Sequence, residues 1–272
     1  MGAAPPQTAA PVPRFRHVIV VVFENEERTG VLGSGAAPTF DRLARRYATL
    51  PEYFGVTHPS LPNYLALVSG STHGISDDCT ACVVDAPSLA DTLERAHRTW
   101  KTYAEGLPQP GFTGAFAGRY AKKHDPFLYF RDVASNDARR LRVVPLTQLA
   151  RDLRAHRLPD FALVVPDLCN SMHDCPVSTG DAWLHRVVEP LLTREDLARS
   201  VVFVVFDEGK SDAHGGGNVA ALALGPAVKR GATLRGVTGH YGLLRTIEDA
   251  WRLPRLGASA RARPITGIWR GT

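Results

Sequence analysis

The sequence predicts an α/β protein: a three-layer α/β/α sandwich around a mainly parallel sheet. Three runs rich in β-branched residues lie at 17–25, 161–167 and 200–209, and they are continuously apolar rather than alternating. This pattern is typical of strands that are buried on both faces of a parallel sheet. Amphipathic helical patterns lie between the runs, and strands that alternate with such helices place helices on both faces of the sheet.

The remaining elements follow from the same periodicities. Weaker strand patterns are present at 99–106 and 218–226. Helical patterns are present at 37–48, 88–98, 146–156, 181–192 and 241–253. A further helix is predicted to begin at Ser60, because serine is a favoured N-cap residue and proline, here Pro62, is tolerated in the first turn.

The chain is predicted to form one domain, residues 15–272, because no internal repeat or long linker interrupts the pattern. The segment 106–140 is the least regular, and we expect it to form an insertion or a lid. Residues 1–14 are rich in Ala and Pro, and we interpret them as a flexible lead-in that remains after removal of a signal peptide. The expected location is therefore secreted.

Composition and charge make several classes of protein unfavourable. With 272 residues, 44% of them hydrophobic, the chain can bury a substantial core. The formal net charge is +5, but no basic stripe is interleaved with aromatic residues, so nucleic-acid binding is not expected. No apolar run reaches about 18 residues, so we expect no membrane span and at most transient contact with a membrane surface. Because no heptad or repeat is present, we expect a monomer.

The four cysteines fall in two close pairs, "CTAC" at 79–82 and "CNSMHDC" at 169–175. Two short local disulfides in an exported protein, Cys79 with Cys82 and Cys169 with Cys175, are the preferred interpretation. A zinc site and a thioredoxin-type redox pair are the alternatives. The second spacing is wide for a zinc knuckle, and the first pair lies in an irregular loop rather than at the start of a helix. A disulfide would fix the loop that carries His173.

Polar residues end each of the three buried strands. The first run ends in Glu24 and Asn25, the second in Asp167, and the third in Asp207 and Glu208. In open α/β sheets, ligands bind at the carboxyl ends of the strands. One acid after a strand is commonly only a cap or turn residue, but three groups at one edge would repel one another unless a cation lies among them. The pattern predicts a metal site.

Ser60 lies in the stretch "THPSLPNYLALVSG", where an extended approach leads into a helix. A helix N-terminus offers unpaired N–H groups and partial positive charge, and it therefore suits a phosphate group. A serine hydroxyl that coordinates a metal ion there would lose its proton more readily than free serine does. Asn63, one helical turn further on, could direct its amide at the same anion.

Seven motifs between residues 17 and 258 resemble the phosphoesterase family of the alkaline-phosphatase superfamily. They are "FEN", "THPSLPNYLALVSG", "KHDPFLYF", "PDLCNSMHDCPVSTGDAWL", "FDEG", "GGGNVAALALGP" and "GHYGLLRTIEDAWRLPRLG". The family contains bacterial acid phosphatases and phosphocholine-type phospholipases C, and the resemblance implies an alkaline-phosphatase-like fold. The segment 60–63 is also similar to the nucleophile segment of nucleotide pyrophosphatases, in which threonine replaces the serine.

The resemblance implies a role for each matching position. Five residues would hold one divalent metal ion: Glu24, Asn25, Ser60, Asp207 and Glu208. Ser60 would also be the nucleophile that forms a phosphoserine. Four residues would bind the phosphate oxygens or, for the histidines, protonate the leaving group: Asn63, Lys123, His124 and His173.

The ligand set also bears on the metal and on the alternatives for single residues. Because nearly all the ligands are oxygens, Mg²⁺, Ca²⁺ or Mn²⁺ is favoured, with Zn²⁺ as an alternative. Asp167 and His240 could complete a second site, but we expect one metal ion. His124 in a solvated basic patch, His173 in a surface loop and His240 as a helix cap are the competing interpretations.

The leading functional hypothesis is a secreted, metal-dependent phosphomonoesterase of the acid phosphatase type, acting on a small phosphate ester or a phospholipid. A phosphodiesterase or phospholipase C of the same family is the first alternative. A non-catalytic anion- or lipid-binding protein on the same scaffold is an alternative of another class. A Ser-His-Asp esterase is disfavoured, because Ser60 does not lie in a G-x-S-x-G elbow.

Overall fold

A computed structural model of the protein describes residues 12–270. The strands are β1 (Val18–Phe23), β2 (Ala48–Thr49), β3 (Tyr53–Phe54), β4 (Trp100–Ala104), β5 (Phe116–Ala117), β6 (Tyr120–Ala121), β7 (Val143–Pro145), β8 (Phe161–Val165), β9 (Val201–Phe206), β10 (Leu222–Leu224) and β11 (Thr238–Gly239). The helices are α1 (Arg28–Val31), α2 (Pro38–Arg46), α3 (Ser60–Ser69), α4 (Leu89–Arg95), α5 (Arg131–Ala134), α6 (Asp137–Arg140), α7 (Thr147–Arg154), α8 (Val177–Val187) and α9 (His240–Trp251).

The central sheet has seven strands in the order β2-β10-β9-β1-β8-β4-β7. Strands β9, β1, β8, β4 and β7 pair in parallel, whereas β10 pairs antiparallel with β9 and β2 antiparallel with β10. Every residue of β1, β8 and β9 is buried, as the continuously apolar runs predicted. The mainly parallel α/β sheet is therefore confirmed.

Helices cover both faces of the sheet. Phe206 of β9 packs against Phe40 of α2. Phe203, three residues earlier and so on the opposite face, packs against Trp269 near the end of the chain. Trp269 in turn contacts Phe15, whose carbonyl accepts a hydrogen bond from Trp251 of α9. The layers are thus α2 with α8, the sheet, and α9 with α3.

Two parts of the prediction differ from the structure, and the irregular segment 106–140 is as predicted. Strands β2 and β7 were not predicted, because two or three residues are too few to show a period. Helix α8 begins at Val177 rather than 181 and ends at Val187, and Glu189–Thr193 forms a 3₁₀ helix because Pro190 cannot continue the α-helix. Between 106 and 140 the chain forms only short elements, and Phe127–Phe130 are buried.

No helix among the described residues is long and apolar enough to cross a membrane. The predicted lead-in falls mostly on residues 1–11, which lie outside the described part of the chain. Both predicted disulfides, Cys79–Cys82 and Cys169–Cys175, are present.

Candidate active site

The register of two neighbouring strands brings the predicted acids together. Phe23 of β1 pairs with Phe206 of β9, so the residues that follow them, Glu24 and Asp207, lie side by side at the carboxyl edge. Asn25 takes a positive φ of 47°, a conformation that asparagine adopts more readily than most residues. Its backbone N–H donates to Oδ1 of Asp207 at 3.2 Å. A tight turn after β1 is thus fastened to the end of β9.

Ser60, the first residue of α3, lies at the same edge of the sheet. Its side chain is buried, and its hydroxyl lies 3.2 Å from Oε2 of Glu24 and 3.5 Å from Oε1 of Glu208. Helix α3 is buried along its whole length, and Gly70, with a φ of 73°, ends it. The serine hydroxyl therefore lies between carboxylates from two different strands.

Burial disfavours the charged form of all three acids. It raises the pKa of Glu24, and burial together with the charge of Glu24 raises the pKa of Asp207 well above its usual range. Burial and the charge of Asp207 raise the pKa of Glu208 to about 8. Acids in this situation bind either protons or a cation.

The donor set fits a divalent cation. Oδ2 of Asp207 is buried and has no hydrogen-bond partner. The side-chain amide of Asn25 has one end 3.1 Å from Oε1 of Glu208 and 3.3 Å from Oδ1 of Asp207. With its nitrogen there it donates to both carboxylates, and with its oxygen there it joins them as a third oxygen ligand for a cation.

Among residues 12–270, only Asp77, Cys79 and Cys82 bring three acid, thiol or imidazole atoms within 4.8 Å of one another. Those two cysteines form a disulfide, so they are not available as thiolate ligands. Glu24, Asp207 and Glu208 do not offer three oxygens that all lie within that distance of one another.

Tyr64 and His124 also contact the carboxylate of Glu24. The Tyr64 hydroxyl donates a short hydrogen bond to Oε1 of Glu24, and Nε2 of His124 lies 3.2 Å from Oε2. The two rings are stacked, with centroids 5.3 Å apart. Burial, and then the charge of Lys123, lowers the pKa of His124 to about 3, so its imidazole is neutral. Sequence reasoning missed Tyr64, although it lies four residues after Ser60 and hence on the same helix face.

A basic group lines the next part of the site. Nζ of Lys123 donates to Oδ2 of Asp78 at 2.8 Å and lies 3.3 Å from Nε2 of His173. The other ring nitrogen of His173, Nδ1, lies 2.7 Å from Oδ1 of Asp174. The rings of His124 and His173 have centroids 5.9 Å apart. The structure thus brings the three predicted basic residues together and adds Asp78.

Asn63 has a different role from the predicted one. Its side-chain oxygen accepts from the backbone N–H groups of Val56 and Thr57 at 2.7 and 3.2 Å. Its side-chain nitrogen donates to the carbonyls of Thr57 and Pro59 at 2.7 and 3.1 Å. Both amide protons are therefore used to hold the loop before Ser60, and neither is directed at a phosphate group.

Asp167 and His240, the residues considered for a second metal site, use their polar atoms in other contacts. His240 is buried, with Nε2 2.5 Å from the backbone oxygen of Asp207 and Nδ1 3.0 Å from the hydroxyl of Tyr53. Both ring nitrogens thus hold α9 in place, one against the end of β9 and the other against β3. Oδ1 of Asp167 accepts from the backbone N–H groups of Cys169 and Asn170 at 3.0 and 2.8 Å, as a turn residue does.

His58 also contacts the acid cluster. Its Nδ1 lies 2.5 Å from Oε2 of Glu208, and its Nε2 lies 3.1 Å from the backbone oxygen of Ser211. Gly55 allows this loop to approach closely, because a Cβ at that position would lie 2.9 Å from the backbone oxygen of Asp207. No periodicity signals this contact, since it joins two irregular loops.

The fold is that of the alkaline phosphatase superfamily. A protein of this superfamily from Vibrio parahaemolyticus matches with a TM-score of 0.63 and 12% identity, over 94% of this chain and 71% of that one. Murine ectonucleotide pyrophosphatase/phosphodiesterase 5 matches with a TM-score of 0.59 and 12% identity, over 92% of this chain and 100% of that one. Identities this low define the fold class alone.

The chain belongs to the Phosphoesterase family, whose model matches residues 23–254. It is 34% identical to the phosphatidylinositol-3-phosphatase of Mycobacterium tuberculosis, over 99% of this chain and 88% of that protein. It is 30% identical to the phosphate-repressible acid phosphatase of Penicillium chrysogenum, over 79% of this chain but only 55% of that protein, so it spans about half of that relative. The protein is a hydrolase that acts on phosphoric ester bonds.

Proposed function

We propose that the protein is a secreted, metal-dependent phosphomonoesterase of the acid phosphatase type, with Ser60 as its nucleophile. The observation that carries the proposal is the position of the Ser60 hydroxyl, between the carboxylates of Glu24 and Glu208 at the start of a buried helix. A serine used only as a cap would need no such surroundings. The two disulfides and the fungal acid phosphatase relatives support an exported enzyme.

The residues that would hold the metal ion are Glu24, Asn25, Ser60, Asp207 and Glu208. A bound divalent ion would neutralise charge on the phosphoryl group and lower the pKa of the serine hydroxyl. The oxygen-rich donors support Mg²⁺, Ca²⁺ or Mn²⁺ more than Zn²⁺.

The remaining steps fall to the side chains. Ser60 Oγ attacks phosphorus in line, its bond to phosphorus forms as the bond to the leaving oxygen breaks, and Oε2 of Glu24 is the nearest acceptor for its proton. Lys123 would hold a phosphate oxygen, and His173, partly exposed, would protonate the leaving oxygen. Water then cleaves the phosphoserine and restores Ser60.

The names of the relatives support phosphate monoesters as substrates. One relative is a phosphatidylinositol-3-phosphatase and several are acid phosphatases, so we propose small phosphate esters, including phosphorylated lipid headgroups. A phosphodiesterase or phospholipase C of the same family is the second candidate. We also propose that the irregular segment 106–140, whose Phe116 is exposed, lines the entry of substrate.

Hydrolysis of p-nitrophenyl phosphate, measured beside its bis(p-nitrophenyl) diester, tests the proposal. We expect wild type to prefer the monoester, to lose activity in EDTA and to recover it with added Mg²⁺, Ca²⁺ or Mn²⁺. Ser60→Ala should be inactive, whereas Ser69→Ala, which alters a buried serine at the far end of the same helix, should stay active. Preference for the diester would favour the second candidate. Turnover by Ser60→Ala, or turnover that EDTA leaves unchanged, would contradict the mechanism.

A further inference from the structure

Asp78 joins the nucleophile's helix to the basic side of the site. Its Oδ1 accepts the backbone N–H of Leu61, the residue after Ser60, at 3.0 Å. Its Oδ2 accepts a hydrogen bond from Nζ of Lys123 at 2.8 Å. One carboxylate thus fixes both the first turn of α3 and the ammonium group of Lys123, which lies beside His173.

The loop that carries Asp78 is held at several points. Cys79, the next residue, forms a disulfide with Cys82, which closes the loop over three residues of sequence. Nζ of Lys122 donates to the backbone oxygen of Thr80 at 3.0 Å. The consecutive residues Lys122 and Lys123 therefore both bind this loop, and its carboxylate has little freedom to move.

The ion pair keeps Lys123 charged and directed. Burial alone would lower the pKa of Lys123, but the hydrogen bond and charge of Asp78, with weaker help from Glu24 and Asp207, raise it. An ammonium group carries three protons. Asp78 accepts one of them, so protons on Lys123 remain for an oxygen of the substrate.

We propose that Asp78 is a positioning residue, which holds Lys123 and the start of α3 in one arrangement so that both act on the same phosphate group. This inference rests on the proposed phosphoesterase mechanism. It also implies that the Cys79–Cys82 disulfide stabilises the loop that positions the Asp78 carboxylate. The alternative is that Asp78 only caps α3 and acts independently of Lys123.

A double-mutant cycle distinguishes these roles. The variants are Asp78→Asn, Lys123→Gln, the two combined, and Asp77→Asn as a matched control on the exposed neighbouring acid. For each, kcat and KM for p-nitrophenyl phosphate, the inhibition constant of inorganic phosphate and the thermal unfolding midpoint are measured.

We expect Asp78→Asn to lower kcat/KM by about 10- to 100-fold and to weaken inhibition by phosphate, as displacement of positioned groups does. Lys123→Gln should lower kcat/KM at least as much. The kcat/KM of the double variant should be no more than about twofold below that of Lys123→Gln. Asp77→Asn should stay within about twofold of wild type.

Three results would overturn the inference. Fold-losses that multiply in the double variant would show that Asp78 acts independently of Lys123, and unchanged kinetics in Asp78→Asn would show that it positions nothing. A loss that simply follows a lowered unfolding midpoint would make Asp78 a structural cap. If wild type itself hydrolyses no phosphate ester, the proposed function fails and this inference fails with it, a result distinct from an active wild type with an indifferent Asp78→Asn.

Discussion

The two sides of the site are built in different ways. On the acidic side, Glu24, Asp207 and Glu208 follow adjacent strands, and the pairing of β1 with β9 sets their positions. On the basic side, Lys123, His124 and His173 come from irregular segments that are held by ion pairs and a disulfide. The ends of rigid strands thus carry the groups with the most unfavourable electrostatics, and loops carry the groups that are proposed to bind the substrate.

This difference predicts that the acidic side is needed for activity but lowers the stability of the folded protein. Asp207→Asn should lower activity by at least roughly 10³-fold, because a metal ligand supplies several kcal/mol of transition-state stabilisation. In EDTA, however, the same variant should unfold at a higher temperature than wild type, since burial and the charge of Glu24 raise the pKa of Asp207 and so disfavour its carboxylate. Kinetics and thermal unfolding in EDTA test both parts. A variant that is both inactive and less stable would contradict this account.

His58 should matter to the proposed metal site, because it contacts Glu208. His58→Ala removes the group 2.5 Å from Oε2 of Glu208 and should weaken metal binding by about 10- to 100-fold. His58→Asn, whose amide nitrogen can take the place of Nδ1, should recover part of the loss. Titration of Mn²⁺ by calorimetry measures the affinity directly. Equal affinity in wild type and His58→Ala would exclude a positioning role.

The pH dependence of stability should reveal the acidic side without any substrate. The raised pKa of Glu208, about 8, means that the folded protein binds more protons than the unfolded chain up to that pH, so stability in EDTA should fall as pH rises towards 8. The lowered pKa of His124, about 3, and of His240, about 4, act in the opposite direction, but only below about pH 6.5.

Urea unfolding in EDTA between pH 6.5 and 8 therefore reports on the buried acids, including Asp125, whose pKa burial raises to about 7. We expect the free energy of unfolding to decrease across this window in wild type, and the slope to become shallower in Glu208→Gln. A free energy that is flat or increases over the same range would contradict the raised pKa.

The disulfide on the basic side should have the smallest effect on chemistry. Replacing Cys169 and Cys175 together by serine should lower the free energy of unfolding by about 2 kcal/mol, since the closed loop is short. Catalysis should fall by no more than about tenfold, because Lys123 and Asp174 still contact His173. Chemical denaturation and kcat/KM for p-nitrophenyl phosphate measure the two effects. A loss of activity as large as that of Asp207→Asn would show that the disulfide matters as much for catalysis as the acidic side does.

The sequence was most informative where regular structure decides position. The apolar runs predicted the buried parallel strands, and the acids at their ends could be assigned to one edge because parallel strands end together. Ser60 was placed at a helix start by its neighbouring prolines. Each of these inferences needs only a period and a direction along the chain.

Contacts between loops could not be predicted in this way. Asp78, His58 and the backbone bonds of Asn63 depend on the paths of irregular segments, which no local period encodes. The contacts of His240, considered for a second metal site or as a helix cap, were not predicted for a related reason. Packing of α9 directs its ring at a backbone carbonyl and at Tyr53.

The central claim, that Ser60 is the nucleophile within an acidic metal site, is tested most directly by trapping the intermediate. Wild type turning over p-nitrophenyl phosphate is quenched rapidly in acid, and its peptides are mapped by mass spectrometry. The account predicts phosphoserine at Ser60 when metal is present and none after EDTA treatment. Phosphate attached to another residue, or turnover by Ser60→Ala at the rate of wild type, would contradict it.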